Sequence, residues 1–161
     1  MRAIVLSDSH GAEDTLRWML TECWKQTGPV DAYLHCGDGA REFGRLAAFL
    51  HARDEHALLM GVRGNCDFAC RDVPETQVLS LGGARIFMTH GHLYRAKMTL
   101  LDLDYAARER ECSITLFGHT HQPCVETRGT LMINPGSAAD SRLALLEVDE
   151  GRPRVRLLSF G

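Results

Sequence analysis

Five short motifs of this 161-residue chain are rich in oxygen and nitrogen donors. They are Asp8-Ser-His10, Gly37-Asp38, Gly64-Asn-Cys-Asp67, His90-Gly-His92 and Gly118-His-Thr-His121. Mixed carboxylate and imidazole ligation suits Mn, Fe, Zn, Ni or Co, whereas Ca takes oxygen ligands alone. A glycine beside each group of donors lets the backbone turn tightly and approach a ligand closely. The motifs therefore predict a site that binds metal ions.

The spacing within the motifs indicates how their side chains would share an ion. Residues i and i+2 at the end of a strand point to the same side. Asp8 and His10 could therefore reach one ion, and the same spacing applies to His119 and His121. The full set of candidate ligands is Asp8, His10, Asp38, Asn65, His90, His119 and His121.

Seven donors exceed what one ion needs if a coordination position is to stay open, so the set predicts two divalent ions that share a carboxylate. Two such ions bring a charge of about +4, the carboxylates of Asp8 and Asp38 bring about −2, and a bridging hydroxide leaves about +1. This balance favours an anionic substrate. Two ions roughly 3.5–4 Å apart can hold a hydroxide and clamp the oxygens of a phosphoryl group that it attacks.

Single motifs carry less weight than the set. Asp-x-His is common by chance and Gly-Asp is often a turn, so the prediction depends on all five motifs following predicted strands. His35, His51 and His56 are interpreted as surface or capping groups rather than ligands. The segment Asn134-Pro-Gly-Ser137 is interpreted as a structural turn.

The elements that carry the first three motifs alternate between strand and helix. Apolar runs predict strands at 2–7, 32–35 and 57–62, and helical spacing of apolar residues predicts helices over 12–26 and 43–50. This alternation implies parallel strands with right-handed crossovers. The polar motifs then lie at the carboxyl ends of the strands, where open α/β sheets bind ligands.

The second half of the chain predicts more strands and one helix. Gly82-Gly83 separates two apolar runs, 76–81 and 85–89, as in a β-hairpin. A helix is predicted over 96–110, with Met98, Leu101 and Tyr105 as its apolar face. Further short strands are predicted at 114–117, 124–127, 130–133, 143–148 and 155–159. We expect two sheets packed face to face, with helices outside.

Length and composition predict one domain over residues 1–161. Hydrophobic residues make up 45% and charged residues 24%, the balance of a globular protein rather than a disordered one. Lys and Arg total 18 against 21 Asp and Glu, a net charge of −3 that argues against a dedicated nucleic-acid binder. No export signal or membrane span is recognised, so a cytoplasmic location is expected and the six cysteines are expected to be thiols.

The ordered set of motifs resembles the calcineurin-like metallophosphoesterase superfamily, and is most similar to its short prokaryotic phosphodiesterase branch. The resemblance runs from Asp8 through Asn134-Pro-Gly-Ser137. It implies an α/β fold, namely a four-layer α/β/β/α sandwich of two packed mixed β-sheets flanked by helices. It also implies a dinuclear metal centre, for which Mn is the expected ion and Ni, Fe, Zn and Co are alternatives.

The resemblance further implies how the ligands divide. One ion would be held by Asp8, His10, Asp38 and His121, and the other by Asp38, Asn65, His90 and His119. Asp38 would bridge the two ions, and a hydroxide between them would attack phosphorus.

Three further residues are candidates for catalytic roles. Many members of the superfamily have a histidine where this chain has Cys66, and that histidine is taken to assist the leaving group or to bind phosphate. A thiol with a pKa of about 8.5 is a weaker donor at neutral pH than an imidazolium with a pKa of about 6.5. We therefore hypothesise that His92 takes part of this role, with packing beside the ligands as the alternative. Asp67 is expected to orient a neighbouring ligand or backbone segment.

These observations favour a metal-dependent phosphodiesterase acting on a small phosphate ester. A phosphomonoesterase of broad specificity is the alternative within the same chemistry. A non-catalytic protein-binding scaffold is the alternative from another class, because a retromer subunit has this fold. Long nucleic acid is disfavoured because no basic stripe with interleaved aromatic residues is present. The resemblance leaves a homo-oligomer open.

Overall fold

The computed structural model describes residues 1–161 and contains ten strands and four α-helices. The strands are β1 (Arg2–Leu6), β2 (Ala32–His35), β3 (Leu58–Gly61), β4 (Thr76–Leu81), β5 (Ala84–Thr89), β6 (Ile114–Leu116), β7 (Cys124–Thr127), β8 (Leu131–Asn134), β9 (Arg142–Asp149) and β10 (Arg152–Ser159). The helices are α1 (Glu13–Trp24), α2 (Ala40–Arg45), α3 (Ala47–Arg53) and α4 (Leu101–Glu109). Short 3₁₀ helices lie at His92–Tyr94 and Ala138–Asp140.

The strands form two mixed five-stranded sheets, which confirms the predicted fold class. The first sheet has the order β10-β9-β1-β2-β3, and the second has the order β4-β5-β6-β8-β7. In the first sheet β1, β2 and β3 are parallel, as the strand–helix alternation predicted, and β9 and β10 add an antiparallel edge. In the second sheet β5, β6 and β8 are parallel, with antiparallel β4 and β7 at the two edges.

Three apolar clusters separate four layers. The central cluster packs the two sheets together, with Ala3 and Val5 of β1 opposite side chains such as Ile86 of β5. The alternate residues of β1, Ile4 and Leu6, pack against α1 and α3. A third cluster packs α4 on the second sheet. Because both faces of β1 are buried, the strand is an unbroken apolar run.

The helix predicted over 96–110 is shorter than expected, and its predicted apolar face is wrong. The α-helix begins at Leu101, after a segment in which Arg95 has a left-handed backbone. Met98, Leu101 and Tyr105 are 81%, 60% and 63% exposed. The buried residues of α4 are Leu103, Asp104, Ala106 and Ala107, so two of the three buried apolar side chains are small alanines. Large side chains on the sheet, such as Phe87 and Phe117 in the same cluster, leave room for small ones on the helix.

Two smaller expectations can also be compared with the structure. The helix predicted over 43–50 is divided into α2 and α3 at Leu46. All six cysteines are free thiols, as predicted. None of the helices combines the length and the apolar content needed to traverse a lipid bilayer.

Candidate metal centre

The five donor-rich motifs meet at one place, beyond the carboxyl ends of strands from both sheets. The first sheet contributes three of them, because Asp8 and His10 follow β1, Asp38 follows β2 and Asn65 follows β3. The second sheet contributes the other two, His90 after β5 and the pair His119 and His121 after β6. The strand ends that sequence patterning predicted are therefore the elements that position the site.

A first group of donors surrounds Asp8. His121 Nε2 lies 3.0 Å from Asp8 Oδ1, and His10 Nε2 lies 3.7 Å from the same oxygen. The two Nε2 atoms are 3.2 Å apart. Such close approach of two imidazole nitrogens and a carboxylate oxygen is the arrangement expected of ligands that face one cation.

A second group adds Asp38 and His90. His90 Nε2 lies 3.2 Å from Asp38 Oδ2 and 3.9 Å from Asp8 Oδ1. Asp38 Oδ2 is also 4.0 Å from His10 Nε2, so this carboxylate faces both groups. A third overlapping group combines His10, Asp38 and the thiol of Cys66.

The hydrogen bonds of Asp8 and His90 leave one ligand atom of each free. Ser7 Oγ donates to Asp8 Oδ2 at 2.5 Å and the His119 backbone N–H donates to the same oxygen at 3.0 Å. His90 Nδ1 is 2.8 Å from the carbonyl oxygen of Cys36, which can only accept, so Nδ1 carries the proton and Nε2 has a lone pair. Asp8 Oδ1 and His90 Nε2 are buried without a hydrogen-bond partner. Unpartnered buried polar atoms are costly, and a cation between them would remove that cost.

The charges of this cluster shift pKa values in opposite directions. Burial disfavours the imidazolium of His90, but the nearby carboxylates of Asp38 and Asp8 outweigh burial and raise the pKa of His90. Burial also opposes ionisation of Asp38, yet the close approach of His90 and the hydrogen bond from the Cys66 backbone N–H hold the pKa of that carboxyl far below its ordinary value. Burial, followed by the charge of His90, lowers the pKa of His119 to about 4. His119 is therefore a neutral imidazole at physiological pH, the form that binds metals.

The backbone around the ligands is unusual. Asp8, His10, Asp38, His119 and His121 have φ values of 54°, 45°, 55°, 67° and 59°, in the left-handed region that residues other than glycine rarely adopt. Five such residues at one place store conformational strain, which clusters at functional sites.

The left-handed backbone also changes the geometry that the spacing predicted. β1 ends at Leu6, so Asp8 and His10 converge through a turn rather than through a strand pleat. The His121 ring lies 5.1 Å from that of His10, whereas the His119 ring lies 5.0 Å from that of His90. The two imidazoles of this motif therefore approach different histidines, and the division of ligands between two ions stays a prediction.

The carboxylate of Asp67 binds backbone rather than open solvent. Oδ2 accepts from the N–H groups of Asp38 and Gly64, both at 2.8 Å. Oδ1 accepts from Gly39 at 3.0 Å and Ala40 at 3.1 Å. Asp67 thus joins the loop after β2 to the loop after β3, and three of its four donors belong to the turn that presents Asp38.

A buried network around Glu42 supports the His10 loop, and the sequence carried no signal for it. Glu42 Oε1 accepts from Ser9 Oγ at 2.7 Å and from the Gly11 N–H at 2.6 Å. His35 Nε2 contacts the same hydroxyl at 3.1 Å, and Gly37 N–H donates to His35 Nδ1 at 3.1 Å. His35 does cap a backbone group, as one interpretation held, but it is fully buried rather than on the surface. Burial lowers the pKa of His35 to about 4.

The turn at Asn134-Pro-Gly-Ser137 supports two ligand loops. Asn134 Nδ2 donates to the Gly118 carbonyl and to Thr120 Oγ1, each at 3.0 Å. Ser137 Oγ donates to the Asp8 carbonyl at 2.8 Å. Gly118 itself has no room for a side chain, since a Cβ there would collide with Ser7 Oγ and the Asp8 carboxylate.

The remaining predicted residues lie at the rim of the cluster. Asn65 is exposed, and its amide donates to Cys66 Sγ at 3.5 Å. Cys66 is exposed as a residue. Partial desolvation of its thiol, together with the nearby carboxylate of Asp38, raises the pKa of that thiol and makes it a weaker acid. The ring of His92 lies 5.5 Å from that of His90, and burial lowers the pKa of His92. His92 Nδ1 is buried without a partner.

Two open cavities border the cluster. One, of about 400 Å³, is lined by His10, Asp38 and Cys66 among others, and the second, of about 540 Å³, is lined by Asn65 and His92 among others. A small ligand could therefore approach the candidate ligands from either side.

The sequence is similar to a known family and to proteins of that family. A family model described as the calcineurin-like phosphoesterase superfamily domain matches residues 1–151. The probable metallophosphoesterase YsnB of Bacillus subtilis strain 168 is 40% identical over 138 residues, which cover 85% of this chain and 75% of that protein. The phosphodiesterase YfcE of Escherichia coli K12 is 36% identical over 90 residues, which cover 50% of this chain and 45% of that protein.

Solved structures share the fold. A conserved protein of Streptococcus pneumoniae TIGR4, described as a predicted phosphoesterase, has a TM-score of 0.76 and 33% identity, covering 98% of this chain and 88% of its own. Wild-type Vps29 of Entamoeba histolytica complexed with zinc has a TM-score of 0.71 and 21% identity, covering 100% of both chains.

Proposed function

Because this chain belongs to the calcineurin-like phosphoesterase superfamily, we propose that it hydrolyses small phosphodiesters with the help of two divalent metal ions, Mn in the first instance. The observation that carries the proposal is the pair of buried, unpartnered ligand atoms, Asp8 Oδ1 and His90 Nε2, which face the carboxylate of Asp38. Carboxylate oxygens and neutral imidazole nitrogens of this kind suit Mn, Fe, Ni, Zn and Co.

The proposed ligands form two sets that share Asp38. One set is Asp8, His10, Asp38 and His121, and the other is Asp38, Asn65, His90 and His119. Supporting this division, the donor atoms of Asp8, His10 and His121 lie within 4.8 Å of one another. Support for the second set comes from the short contact of His90 with Asp38 and from the approach of the His119 ring to His90.

When bound, the two ions would supply the positive charge that polarises the phosphoryl oxygens and lowers the pKa of water. The chain's own residues prepare the site. Ser7 and the His119 backbone N–H orient the Asp8 carboxylate, and the Cys36 carbonyl fixes the proton of His90 on Nδ1. Asp67 holds the Asp38 turn through three backbone N–H groups, those of Asp38, Gly39 and Ala40.

We propose that His92 rather than Cys66 contacts the phosphate or delivers a proton to the leaving group; because the pKa of His92 is lowered, the imidazolium that would donate this proton is the minor form at neutral pH. The Nδ1 atom of His92 is buried and unpartnered at the edge of the cluster. The raised pKa of the Cys66 thiol disfavours it as an acid at neutral pH. A diester is favoured over a monoester by the likeness to the YfcE phosphodiesterase, whose name states that activity.

The proposal is tested by loading the purified protein with Mn²⁺ and measuring metal content and hydrolysis together. We expect two Mn per chain and faster hydrolysis of bis(4-nitrophenyl) phosphate than of 4-nitrophenyl phosphate. Asp38→Asn should lose both metal and activity, whereas Asp14→Asn, the same change at an exposed position on α1, should lose neither. Faster monoester hydrolysis would favour the phosphomonoesterase alternative.

A non-catalytic scaffold is the second candidate. It is favoured by the exposed apolar side chains of the α4 region and by the fold shared with Vps29. Two equivalents of Mn bound without hydrolysis of any diester would support it. A cytoplasmic location and self-association stay predictions.

A further inference from the structure

Phe68 occupies an unusual place for a large apolar side chain. It is 81% exposed and follows Asp67 directly in the chain. It lines both cavities that border the candidate metal centre. An isolated exposed aromatic needs no explanation, but one that lines both approaches to a site is positioned to contact a ligand in either of them.

The backbone that carries Phe68 is held firmly. The Asp67 carboxylate accepts four backbone hydrogen bonds, and Cys70 N–H donates to the Asp67 carbonyl at 3.0 Å. Arg63 N–H donates to the Pro74 carbonyl at 2.9 Å and closes the base of the loop. A ring on a fixed backbone loses little conformational entropy when a ligand stacks on it.

Each of the two cavities is also lined by an arginine that has no carboxylate partner. Arg41 lines the first cavity and Arg71 lines the second, and no carboxylate lies within 4.0 Å of either guanidinium. Arg63, by contrast, is paired with Glu75 at 3.2 Å. A cavity lined by both an exposed aromatic side chain and an unpaired guanidinium group favours a ligand that is both flat and anionic.

We propose that Phe68 is the specificity-determining residue of the site, and that it stacks against an aromatic ring of one ester group of the substrate. The substrate class is then a phosphodiester that carries a planar ring, such as a nucleobase or an aryl group, rather than a glycerol diester. This inference rests on the proposed phosphodiesterase function, and it adds the chemistry of the group beside the phosphate.

The kinetic test compares two Mn-dependent substrates, bis(4-nitrophenyl) phosphate and the ring-free diester glycerophosphoglycerol. Phe68→Ala is expected to lower kcat/KM for the aryl diester roughly tenfold more than for the glycerol diester, the loss typical of one stacking contact. Phe68→Tyr should keep the wild-type kcat/KM for the aryl diester. Phe68→Leu, whose side chain is apolar but not flat, should keep only part of it.

The binding test needs no turnover. Titration calorimetry with adenosine 5′-monophosphate and with inorganic phosphate should show that Phe68→Ala raises Kd for the nucleotide roughly tenfold more than for phosphate. Met98→Ala is the matched control, since Met98 is also 81% exposed but lines neither cavity. Met98→Ala should change neither the ratio of the two kcat/KM values nor the ratio of the two Kd values.

The two proposals fail in different ways. If the wild-type protein hydrolyses neither diester, the phosphodiesterase proposal fails, and nucleotide binding still decides the role of Phe68. If the wild-type protein hydrolyses both diesters and Phe68→Ala changes both rates alike and both Kd values alike, the stacking role is excluded. Unchanged thermal unfolding of each variant would show that the differences are not due to misfolding.

Discussion

The Asp38 carboxylate faces His10 and His90 at the same time, and the backbone of Asp38 is in the left-handed region. Asp67 holds this turn through charge-assisted hydrogen bonds from three of its N–H groups, and a fourth bond, from Gly64, ties the turn to the loop after β3. At the scale of single residues, the site therefore depends on a side chain that the metal would not touch.

Asp67→Asn tests this dependence. An amide has one oxygen, so two of the four N–H groups would face an NH₂ group instead of an acceptor. We expect the affinity for Mn²⁺ to fall about 10–100-fold, the usual effect of losing a residue that orients a ligand. Metal titration of the folded protein measures it, with Asp72→Asn, an exposed position on the same loop, as the control. Unchanged metal content and rate would remove the orienting role.

His92→Ala tests proton transfer at the rim of the cluster. Poor leaving groups need a proton and activated aryl leaving groups do not, so turnover of alkyl diesters should fall about 10²–10⁴-fold while that of bis(4-nitrophenyl) phosphate falls much less. Steady-state kinetics on both substrates provide the comparison. Equal losses on the two would assign His92 to phosphate binding or packing.

At the scale of elements, α4 shows how packing chooses between two apolar stripes of the same period. Leu103, Ala106 and Ala107 are buried against the second sheet, and Leu101 and Tyr105 face outward. The rings of Phe87 and Phe117 fill much of the space beneath α4, so small side chains such as Ala106 and Ala107 fit against them. A tightly packed interior has no room for larger ones.

Leu103→Ala and Leu101→Ala form a matched pair for this assignment. Removing the fully buried Leu103 side chain should lower the free energy of unfolding by about 2–5 kcal/mol. The same change at the exposed Leu101 should cost no more than about 0.5 kcal/mol. Urea unfolding monitored by circular dichroism measures both, and similar losses would contradict the observed orientation of α4.

At the scale of the whole molecule, the candidate metal centre lies where the two sheets meet. Asp8 and Asp38 follow strands of the first sheet, and His90 and His121 follow strands of the second, yet His90 Nε2 lies 3.2 Å from Asp38 Oδ2 and His121 Nε2 lies 3.0 Å from Asp8 Oδ1. Any cation bound there would therefore tie the two halves of the sandwich together in addition to its chemistry.

Metal loading should accordingly stabilise the fold. At a free Mn²⁺ concentration 100 times Kd, binding to the native state adds about 2.7 kcal/mol, which raises Tm by roughly 5–10 °C for a chain of this size. Thermal scans with Mn²⁺ and after chelation measure the shift, and Asp38→Asn should abolish it. A wild-type Tm that is independent of metal would contradict binding at this junction.

The sequence by itself determined the donor-rich motifs, the strands that present them and the two-sheet architecture. These features depend on short-range patterns, since apolar periodicity marks the strands and polar motifs mark their ends. The division of the candidate ligands between two ions came from the family resemblance and stays a prediction.

The tertiary structure decided the rest. The left-handed turns at the ligands, the burial of Glu42 with Ser9 and His35, and the inward face of α4 all depend on side chains that are distant in the chain. The residues adjacent in sequence do not show how much space a side chain will have in the core or which distant group it will hydrogen-bond. Only the packed molecule sets those contacts, and they select one conformation among several that are locally acceptable.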